Sequence, residues 1–242
     1  MSGMTRWGFA PLLIIGFLFM AACSGTGQQA AFAQVCDGQV NPEITVTVPP
    51  SKPVEDHRLD VAALSARDSL DKTVPALKDY RETFGTTAAE LKAHLNGDMR
   101  ADPKGNHWCA QLVRTTVKVD WITTVYLARE LEPGSCPLAA VQAHEAKHVA
   151  IDRELLPMMK QDVETAVRGV TRAPVWGTSA NEAMAALKAR IEQAAKAAID
   201  DFEKQRDARQ LLIDTPEEYD RVSASCGKDA FSKLGIHAST EM

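Results

Sequence analysis

Residues 137–168, PLAAVQAHEAKHVAIDRELLPMMKQDVETAVR, decide the fold that this sequence predicts. The turn-forming residues Glu132–Ser135 come shortly before them. Pro137 suits the first position of a helix, because the backbone N–H that proline lacks has no partner there. We therefore expect one long helix over residues 137–168, and this helix carries a motif with chemical meaning.

The motif is His144-Glu145-Ala146-Lys147-His148, an H-E-x-x-H sequence. Histidines four positions apart share one face of a helix, so both imidazoles can reach a single zinc ion. Glu145 lies about 100° around the helix from His144, beside the metal rather than on it. From there a carboxylate can accept a proton from a water that attacks a carbonyl. The motif predicts His144 and His148 as zinc ligands and Glu145 as the general base.

Asp152 follows His148 by four residues and lies in the same arc of the predicted helix. We expect its carboxylate to orient His148 through the ring nitrogen that does not face the metal. An ordinary helix salt bridge is the alternative role for Asp152. The other histidines have no partner at ligand spacing and are predicted to be surface residues: His57, His94, His107 and His237.

Further helices are predicted on the C-terminal side of the motif, and a strand near the N-terminus. A second long helix starts at Ser179, and Thr215-Pro216 announces a third, shorter helix with a polar cap and a proline in its first turn. Residues 43–48 alternate and are rich in β-branched side chains, which predicts a strand.

Between that strand and the motif helix we predict helices and then a hairpin. Residues 59–96 look mainly helical, including a short helix that begins around residues 86–91. Residues 108–118 and 121–129 are rich in Val, Ile, Thr and aromatic side chains, which predicts a β-hairpin turning at Val119-Asp120. In zinc peptidases such a strand before the motif helix binds the extended substrate by edge pairing, so we expect this role for residues 121–129.

Together these elements predict the α+β class with a zincin-like arrangement, in which a small β-hairpin or sheet packs on the long H-E-x-x-H helix and on further helices. We expect this domain to span residues 41–228. A signal peptide at residues 1–22 and a tether at residues 23–40 would precede it, and residues 229–242 would form a C-terminal tail.

The N-terminus carries an export signal. Residues 9–22 are apolar and follow a segment whose only charged side chain is Arg6. The run is shorter than the roughly 20 residues of a membrane-spanning helix, so it predicts a secretory signal peptide. Met20-Ala21-Ala22-Cys23 resembles a lipobox, from which we expect lipidation at Cys23 and a membrane anchor. Cleavage before Gln34 is the alternative.

An exported protein folds in an oxidising compartment, where cysteines pair. With Cys23 lipidated or removed, four cysteines remain, and they allow three connectivities among which the sequence cannot choose. These disulfide candidates are Cys36, Cys109, Cys136 and Cys226.

Three features occur in a fixed order within residues 105–227: Cys136-Pro137, the H-E-x-x-H helix, and Tyr219-Asp220-Arg221-Val222. The arrangement resembles a bacterial family of predicted secreted zinc-dependent proteases, catalogued as a domain of unknown function. The resemblance implies a metalloprotease-like zinc site. One departure is Cys226-Gly227, where many members have His-Gly or Asp-Gly, so any role of that histidine is absent here.

A catalytic zinc site normally takes a third protein ligand and leaves its fourth position to water. Glu182 superficially resembles the downstream glutamate of thermolysin-like peptidases, but with Ser179 it forms a capping box at a helix start. The family resemblance favours Asp220 as the third ligand, since it falls in the matching segment. Tyr219 would then lie beside the metal and donate a hydrogen bond to the developing oxyanion.

The same segment bears on the disulfides, because Cys226 follows it closely and Cys136 precedes the motif by two turns. A Cys136–Cys226 bridge would clamp the two site segments together and leave Cys36 to pair with Cys109. Pairing of Cys109 with Cys136 is the alternative.

We expect a zinc-dependent peptidase of the bacterial cell envelope that acts on a protein or peptide. The alternative is a zinc-binding or purely structural envelope lipoprotein that binds a partner. Glu145 discriminates between them, because structural zinc needs no base beside it. The chain carries 27 Lys and Arg residues against 32 Asp and Glu residues, a formal charge of −5 that argues against a nucleic-acid partner.

Overall fold

The computed structural model describes Cys36 and residues 41–49, 51–67, 82–227 and 229–234. In these ranges the chain combines α-helices with a single sheet, which confirms the mixed helix and strand class. The strands are β1 (Glu43–Thr47), β2 (Val54–Asp56), β3 (Gly85–Lys104), β4 (His107–Leu127) and β5 (Val175–Gly177). The helices are α1 (Val61–Arg67), α2 (Cys136–Thr171), α3 (Ala180–Gln210) and α4 (Pro216–Ala224), followed by a 3-10 turn at Ser232–Leu234.

The starts of the motif helix and of the two helices predicted after it are confirmed. Ser135 caps α2 by accepting a hydrogen bond from the backbone N–H of Leu138, and Pro137 lies in the first turn. Thr215 caps α4 in the same way through the N–H of Glu218. The predicted signal peptide, the lipidation site Cys23, the tether except Cys36, and His237 lie outside the described residues and stay predictions.

The centre of the sheet is β4. Along one edge it pairs antiparallel with β3 over the whole length of both strands. Its other edge takes β5 in antiparallel pairing and then β1 and β2 in parallel pairing, one after another along β4. The sheet is therefore organised around one long strand with partners on both sides.

The helix predicted around residues 86–91 is wrong, because these residues belong to β3. Ala, Glu, Leu and Lys favour helices locally, but strand formation depends on the available partner. Along β3 the partly buried Leu91, Ala93 and Leu95 lie opposite the buried Trp121, Val119 and Val117 of β4. This period-2 alternation was visible in the sequence and outweighs the local helix propensity.

The hairpin predicted at Val119-Asp120 is also wrong, since β4 continues through it without a break. The chain turns instead at Gly105-Asn106, between the paired residues Lys104 and His107. Gly105 has φ +59°, which a two-residue hairpin turn favours and which glycine adopts without strain.

Edge pairing of a substrate with residues 121–129 is excluded by the position of β4. Its residues Thr124–Tyr126 pair with β2 on one edge and with β3 on the other. At Trp121 the backbone carbonyl accepts a hydrogen bond from the Ser51 hydroxyl at 2.5 Å. This segment of β4 is thus the middle of a sheet, with its backbone groups already engaged.

The main core lies between the sheet and the two long helices. Sheet residues such as Val117, Val119 and Trp121 pack against the C-terminal half of α2 and against one face of α3. The helical residues of this core are Leu155, Met159, Val163 and Val167 of α2, and Leu187, Ile191, Ala195, Ile199 and Phe202 of α3. A second core gathers α1, the end of β4 and the N-terminal half of α2. None of the helices in the described ranges has both the length and the hydropathy that crossing a membrane requires.

Two disulfides join distant parts of the chain, and both pairings favoured above are confirmed. Cys36 pairs with Cys109 of β4, and Cys136 pairs with Cys226, with Cα atoms 5.6 Å apart in the second bridge. The Cys136–Cys226 bridge ties the end of α4 to the start of α2.

Replacing Cys136 and Cys226 together by Ala should lower the free energy of unfolding by about 2–4 kcal/mol, because the bridge closes a long loop in the unfolded chain. Its partners are 90 residues apart in sequence. Chemical denaturation of the oxidised protein and of the double variant measures the change. An unchanged midpoint and slope would show that this bridge does not stabilise the fold.

Candidate metal centre

The inward face of α2 is apolar at both ends and polar in the middle. Four polar side chains are buried there, His144, Glu145, His148 and Asp152, with relative exposures of 6%, 3%, 7% and 2%. Burying such groups costs free energy unless each finds a hydrogen-bond or charge partner. The partners come from β3, from α3, from the segment that joins α3 to α4, and from the first turn of α4, and they define the site.

Three donor atoms converge at its centre. The Nε2 atoms of His144 and His148 are 3.2 Å apart. Asp214 Oδ1 lies 3.2 Å from the first and 3.1 Å from the second. Among the described residues, these three form the group that could hold a metal ion.

The spacing of these atoms fits a metal. Ligand atoms about 2.0 Å from a tetrahedral zinc ion lie about 3.3 Å from one another, close to all three sides of this triangle. Imidazole nitrogen and carboxylate oxygen are both ordinary zinc ligands. The three side chains thus match a metal in chemistry as well as in distance.

Asp214 reaches the histidines because of how α3 and α4 are joined. The α3 helix ends at Gln210, and the N–H of Ile213 bonds the Gln210 carbonyl to form a tight turn. Thr215 then caps α4, so Asp214 stands just before the cap and is not used by it. This short connection places the Asp214 carboxylate next to the imidazoles of His144 and His148 on α2.

Each histidine is also held on its second ring nitrogen. His144 Nδ1 lies 3.2 Å from Glu218 Oε1, an oxygen that also accepts hydrogen bonds from Lys147 and Arg221 at 2.6 Å each. His148 Nδ1 lies 2.5 Å from Gln210 Oε1. Both Nε2 atoms therefore face the centre of the site. The hydrogen bonds from Arg221, Lys147 and His144 hold the pKa of Glu218 well below its usual range.

Glu145 lies beside this centre and is fixed from β3. The Thr87 hydroxyl donates to Glu145 Oε2 at 2.7 Å. Gly85 approaches so closely that a Cβ on it would lie 2.7 Å from Glu145 Oε1 and 2.5 Å from Val141 Cγ1, so β3 needs glycine there. Burial raises the pKa of Glu145 above its usual value, against the opposing effect of the nearby histidines. Such a carboxyl accepts a proton more readily than an exposed one.

The central ion pairs shift the other pKa values strongly. Burial lowers the pKa of His148, but the hydrogen bond and charge of Asp214 outweigh it and raise the pKa to about 9. The balance is similar for His144, whose pKa is also raised. Burial raises the pKa of Asp214, but its bonds with the two histidines lower it to about 2. Without a metal, the pair His148 and Asp214 is thus ionised at neutral pH.

In the group that could hold a metal, Asp214 stands where we had expected Asp220. Asp220 is exposed on α4 and lies outside the group of three donors. It occupies the position two residues beyond Glu218, and on this helix Glu218 rather than Asp220 faces α2. Tyr219 does reach the site, with its ring centroid 5.6 Å from that of His144.

We had expected the Asp152 carboxylate to bind the His148 imidazole directly, but it acts through Gln210. Its Oδ1 accepts hydrogen bonds from Arg206 Nε and Gln210 Nε2 at 2.7 Å each, and Gln210 stands between Asp152 and the imidazole. The predicted cap role of Glu182 is confirmed, since it accepts from the Thr178 backbone N–H at 2.7 Å at the start of α3. His57, His94 and His107 are exposed, as predicted.

Sequence reasoning missed the contributions of Gln210, Asp214 and Glu218. A signal for them existed, because the three follow one another at intervals of four residues around a helix start. Asp214 also lay close to the predicted helix start without a capping role, since Thr215 caps that helix. What the sequence could not supply was the orientation of this segment towards α2.

Comparisons of the chain with protein-family models, with curated proteins and with solved structures found no match. The resemblance to secreted zinc-dependent proteases therefore stays a prediction. What this site can do follows from its own geometry: three converging donors, a buried carboxylate beside them and an aromatic ring at the rim.

Asp214→Ala should weaken zinc affinity by about 100-fold or more, because it removes one of three ligand atoms. Asp220→Ala is the matched control, an aspartate in the same segment whose loss should leave affinity within about twofold. Competition with a chromophoric chelator measures both. Equal losses in the two variants would contradict the assignment of Asp214.

Zinc affinity should rise with pH and level off above about pH 9. His148 has a pKa of about 9 and must release its proton before Nε2 can bind a metal, whereas Asp214 is ionised throughout. Between about pH 6 and pH 8, each unit of acidification should cost about tenfold in affinity for every proton displaced. The same competition assay, corrected for protonation of the chelator, gives the slope. A flat profile would contradict displacement of a histidine proton.

Proposed function

We propose that this protein is a zinc-dependent peptidase of the bacterial cell envelope. One observation carries the proposal: a buried glutamate stands beside three converging donor atoms, at the positions of an H-E-x-x-H motif. His144, His148 and Asp214 would hold the ion. When bound, zinc supplies Lewis-acid chemistry, lowering the pKa of a water and polarising a substrate carbonyl.

Glu145 is the residue to which we assign proton transfer. Thr87 binds its Oε2, which fixes the carboxylate plane and presents Oε1 as the oxygen that takes a proton from the attacking water. Its raised pKa suits this role, because a general base works best when its pKa lies near the working pH. The same proton can then pass to the leaving amine.

A substrate strand would lie on β3 rather than on β4. Both edges of β4 are engaged near the site, while in the described ranges β3 pairs with β4 alone. Two of the first residues of β3, Gly85 and Thr87, lie against Glu145. An extended peptide paired with this part of β3 would bring a carbonyl close to the proposed base.

Tyr219 is the side chain we assign to the developing oxyanion. Its ring lies beside His144, at the rim of the site and on the same short helix as Glu218. A phenol can donate a hydrogen bond to charge that appears only in the transition state. The Cys136–Cys226 bridge at the end of this helix would hold the ring in place.

The cell-envelope location rests on two features. Residues 9–22 with the lipobox ending at Cys23 are typical of an exported lipoprotein. The two disulfides fit an oxidising compartment outside the cytoplasm. We propose that the lipid on Cys23 tethers the domain to a membrane.

A purely structural zinc site is the alternative that the geometry disfavours. Structural sites are normally closed by four protein ligands. In the described part of the chain three donors converge, and the carboxylate beside them is held by Thr87 rather than aimed at the same point. Three ligands with a buried base beside them fit a catalytic site, in which water takes the fourth position.

Glu145→Gln should retain zinc and lose hydrolysis by about 10²–10⁴-fold, because it removes the proton acceptor without touching a ligand. Glu154→Gln is the matched control, an exposed glutamate on the same helix that pairs with Arg209. New N-termini released from a proteome-derived peptide mixture, counted by mass spectrometry, measure the activity.

The proposal fails if zinc-loaded wild type and Glu145→Gln release the same termini at the same rate. It also fails if wild type releases none above the level of the zinc-free protein. Equal zinc contents in the three proteins ensure that any difference reflects the base and not the ligands.

A further inference from the structure

We propose that Gln210, held by Asp152 and Arg206, is a positioning residue that fixes which nitrogen of His148 faces the metal position. The inference rests on the zinc site proposed above. It concerns three buried side chains that would not touch the ion themselves: Asp152, Arg206 and Gln210.

The orientation of the Gln210 amide is decided by its partners. Its Nε2 lies 3.2 Å from the backbone carbonyl of His148 and 2.7 Å from Asp152 Oδ1. Both partners are acceptors, so the NH₂ group must face them. With the amide turned over, an oxygen would meet two acceptors at once. Oε1 is therefore the atom that points at His148.

This orientation selects the proton position on the ring. An amide oxygen can only accept, so His148 Nδ1, 2.5 Å away, must carry a hydrogen. When His148 gives up its second proton to bind a metal, the neutral imidazole keeps its one hydrogen on Nδ1, which leaves the lone pair on Nε2. That atom faces Asp214 Oδ1 at 3.1 Å and His144 Nε2 at 3.2 Å. Gln210 thus presents the lone pair of His148 to the centre of the site.

Asp152 and Arg206 make the amide rigid. Arg206 binds both oxygens of the carboxylate, through Nε at 2.7 Å and Nη2 at 3.2 Å. The pair is almost fully buried between α2 and α3, with side-chain exposures of 3% and 10%. A buried ion pair is weak evidence for stability, since desolvation offsets much of its attraction. The role of the Asp152–Arg206 pair is instead geometric, because Arg206 fixes the Asp152 oxygen to which the Gln210 amide is bonded.

His144 is oriented by a different device. Its Nδ1 faces Glu218 Oε1 on α4, in a network with Lys147 and Arg221 that is partly open to solvent. The two histidines are therefore set independently, one from each side of Asp214. Disturbing Gln210 should change His148 and leave the network at His144 intact.

Two substitutions separate positioning from stability. Gln210→Met keeps the length of the side chain but removes the acceptor, so zinc affinity should fall by about 10–100-fold. Gln210→Glu keeps an oxygen on Nδ1 and, as a carboxylic acid beside the Asp152 carboxylate, still donates one hydrogen bond to Asp152 Oδ1, so its zinc affinity should stay within about threefold of wild type. Both variants lose the hydrogen bond from the Gln210 amide to the His148 carbonyl, so both should have a lower melting temperature. Arg209→Gln is the matched control, since it breaks an exposed ion pair between the same two helices.

Three measurements are needed for each protein. Chelator competition gives the zinc affinity, thermal unfolding gives the melting temperature, and a long-range ¹H–¹⁵N spectrum of the zinc-loaded protein shows the state of each ring nitrogen. In wild type, the spectrum should show a proton on His148 Nδ1 and metal on Nε2. A merely structural role would make affinity follow melting temperature in both variants.

The positioning role alone is overturned if wild type binds zinc through His148 Nδ1, or if Gln210→Met binds zinc as tightly as wild type. It is also overturned if Gln210→Glu and Gln210→Met lose affinity equally. Two other results would contradict the proposed metal site itself, and this inference with it. One is that wild type does not bind zinc, and the other is that a His144→Ala, His148→Ala double variant binds zinc fully.

Discussion

The architecture depends on one constraint: four polar side chains face inward from the middle of α2 and each needs a partner from elsewhere in the chain. His144, Glu145, His148 and Asp152 occupy helix positions that apolar residues fill on either side, such as Val141 and Leu155. Left without partners, they would cost more than a domain of this size can lose. The elements around α2 are arranged so that each of the four is satisfied.

The partners come from opposite directions, and this makes the site rigid. Thr87 holds Glu145 from the sheet, while Arg206 and Gln210 hold Asp152 and His148 from α3. Asp214 and Glu218 close the remaining side, within one short connection and the first turns of α4. Because α2 and α3 are long and share the main core with the sheet, these contacts rest on elements that do not move independently.

The charges of the centre are balanced in a way that suits metal exchange. In the absence of a metal, Asp214 pairs with protonated His148, which raises the pKa of His148 to about 9, and its hydrogen bonds with the two histidines lower the pKa of Asp214 to about 2. A divalent cation would replace those protons and meet the same carboxylate, so the site need not rearrange to bind it. The donor groups are thus paired through protons when no metal is bound, and the same groups could hold a metal. Glu145 lies beside them in either case.

Local sequence signals predicted what depends on local structure. The H-E-x-x-H spacing, the caps at Ser179 and Thr215 and the mixed helix and strand class all follow from interactions within a few residues. Such interactions can be read along the chain. The long strand β3 was missed because its helix-favouring residues are overruled by β4, a partner that lies beyond the turn.

Tertiary structure alone decided which carboxylate joins the histidines and which amide orients one of them. Asp214 and Asp220 are the same residue type and lie at similar distances along the chain from the motif. The turn between α3 and α4 brings the Asp214 carboxylate to α2, whereas Asp220 lies outside the group of donors. The role of Gln210 likewise exists only because α3 packs along α2 at the level of His148. The sequence by itself determined the chemistry of the motif helix, since that chemistry depends on spacing within one helix. The rest of the site depends on contacts between residues more than 50 positions apart, which only packing can bring together.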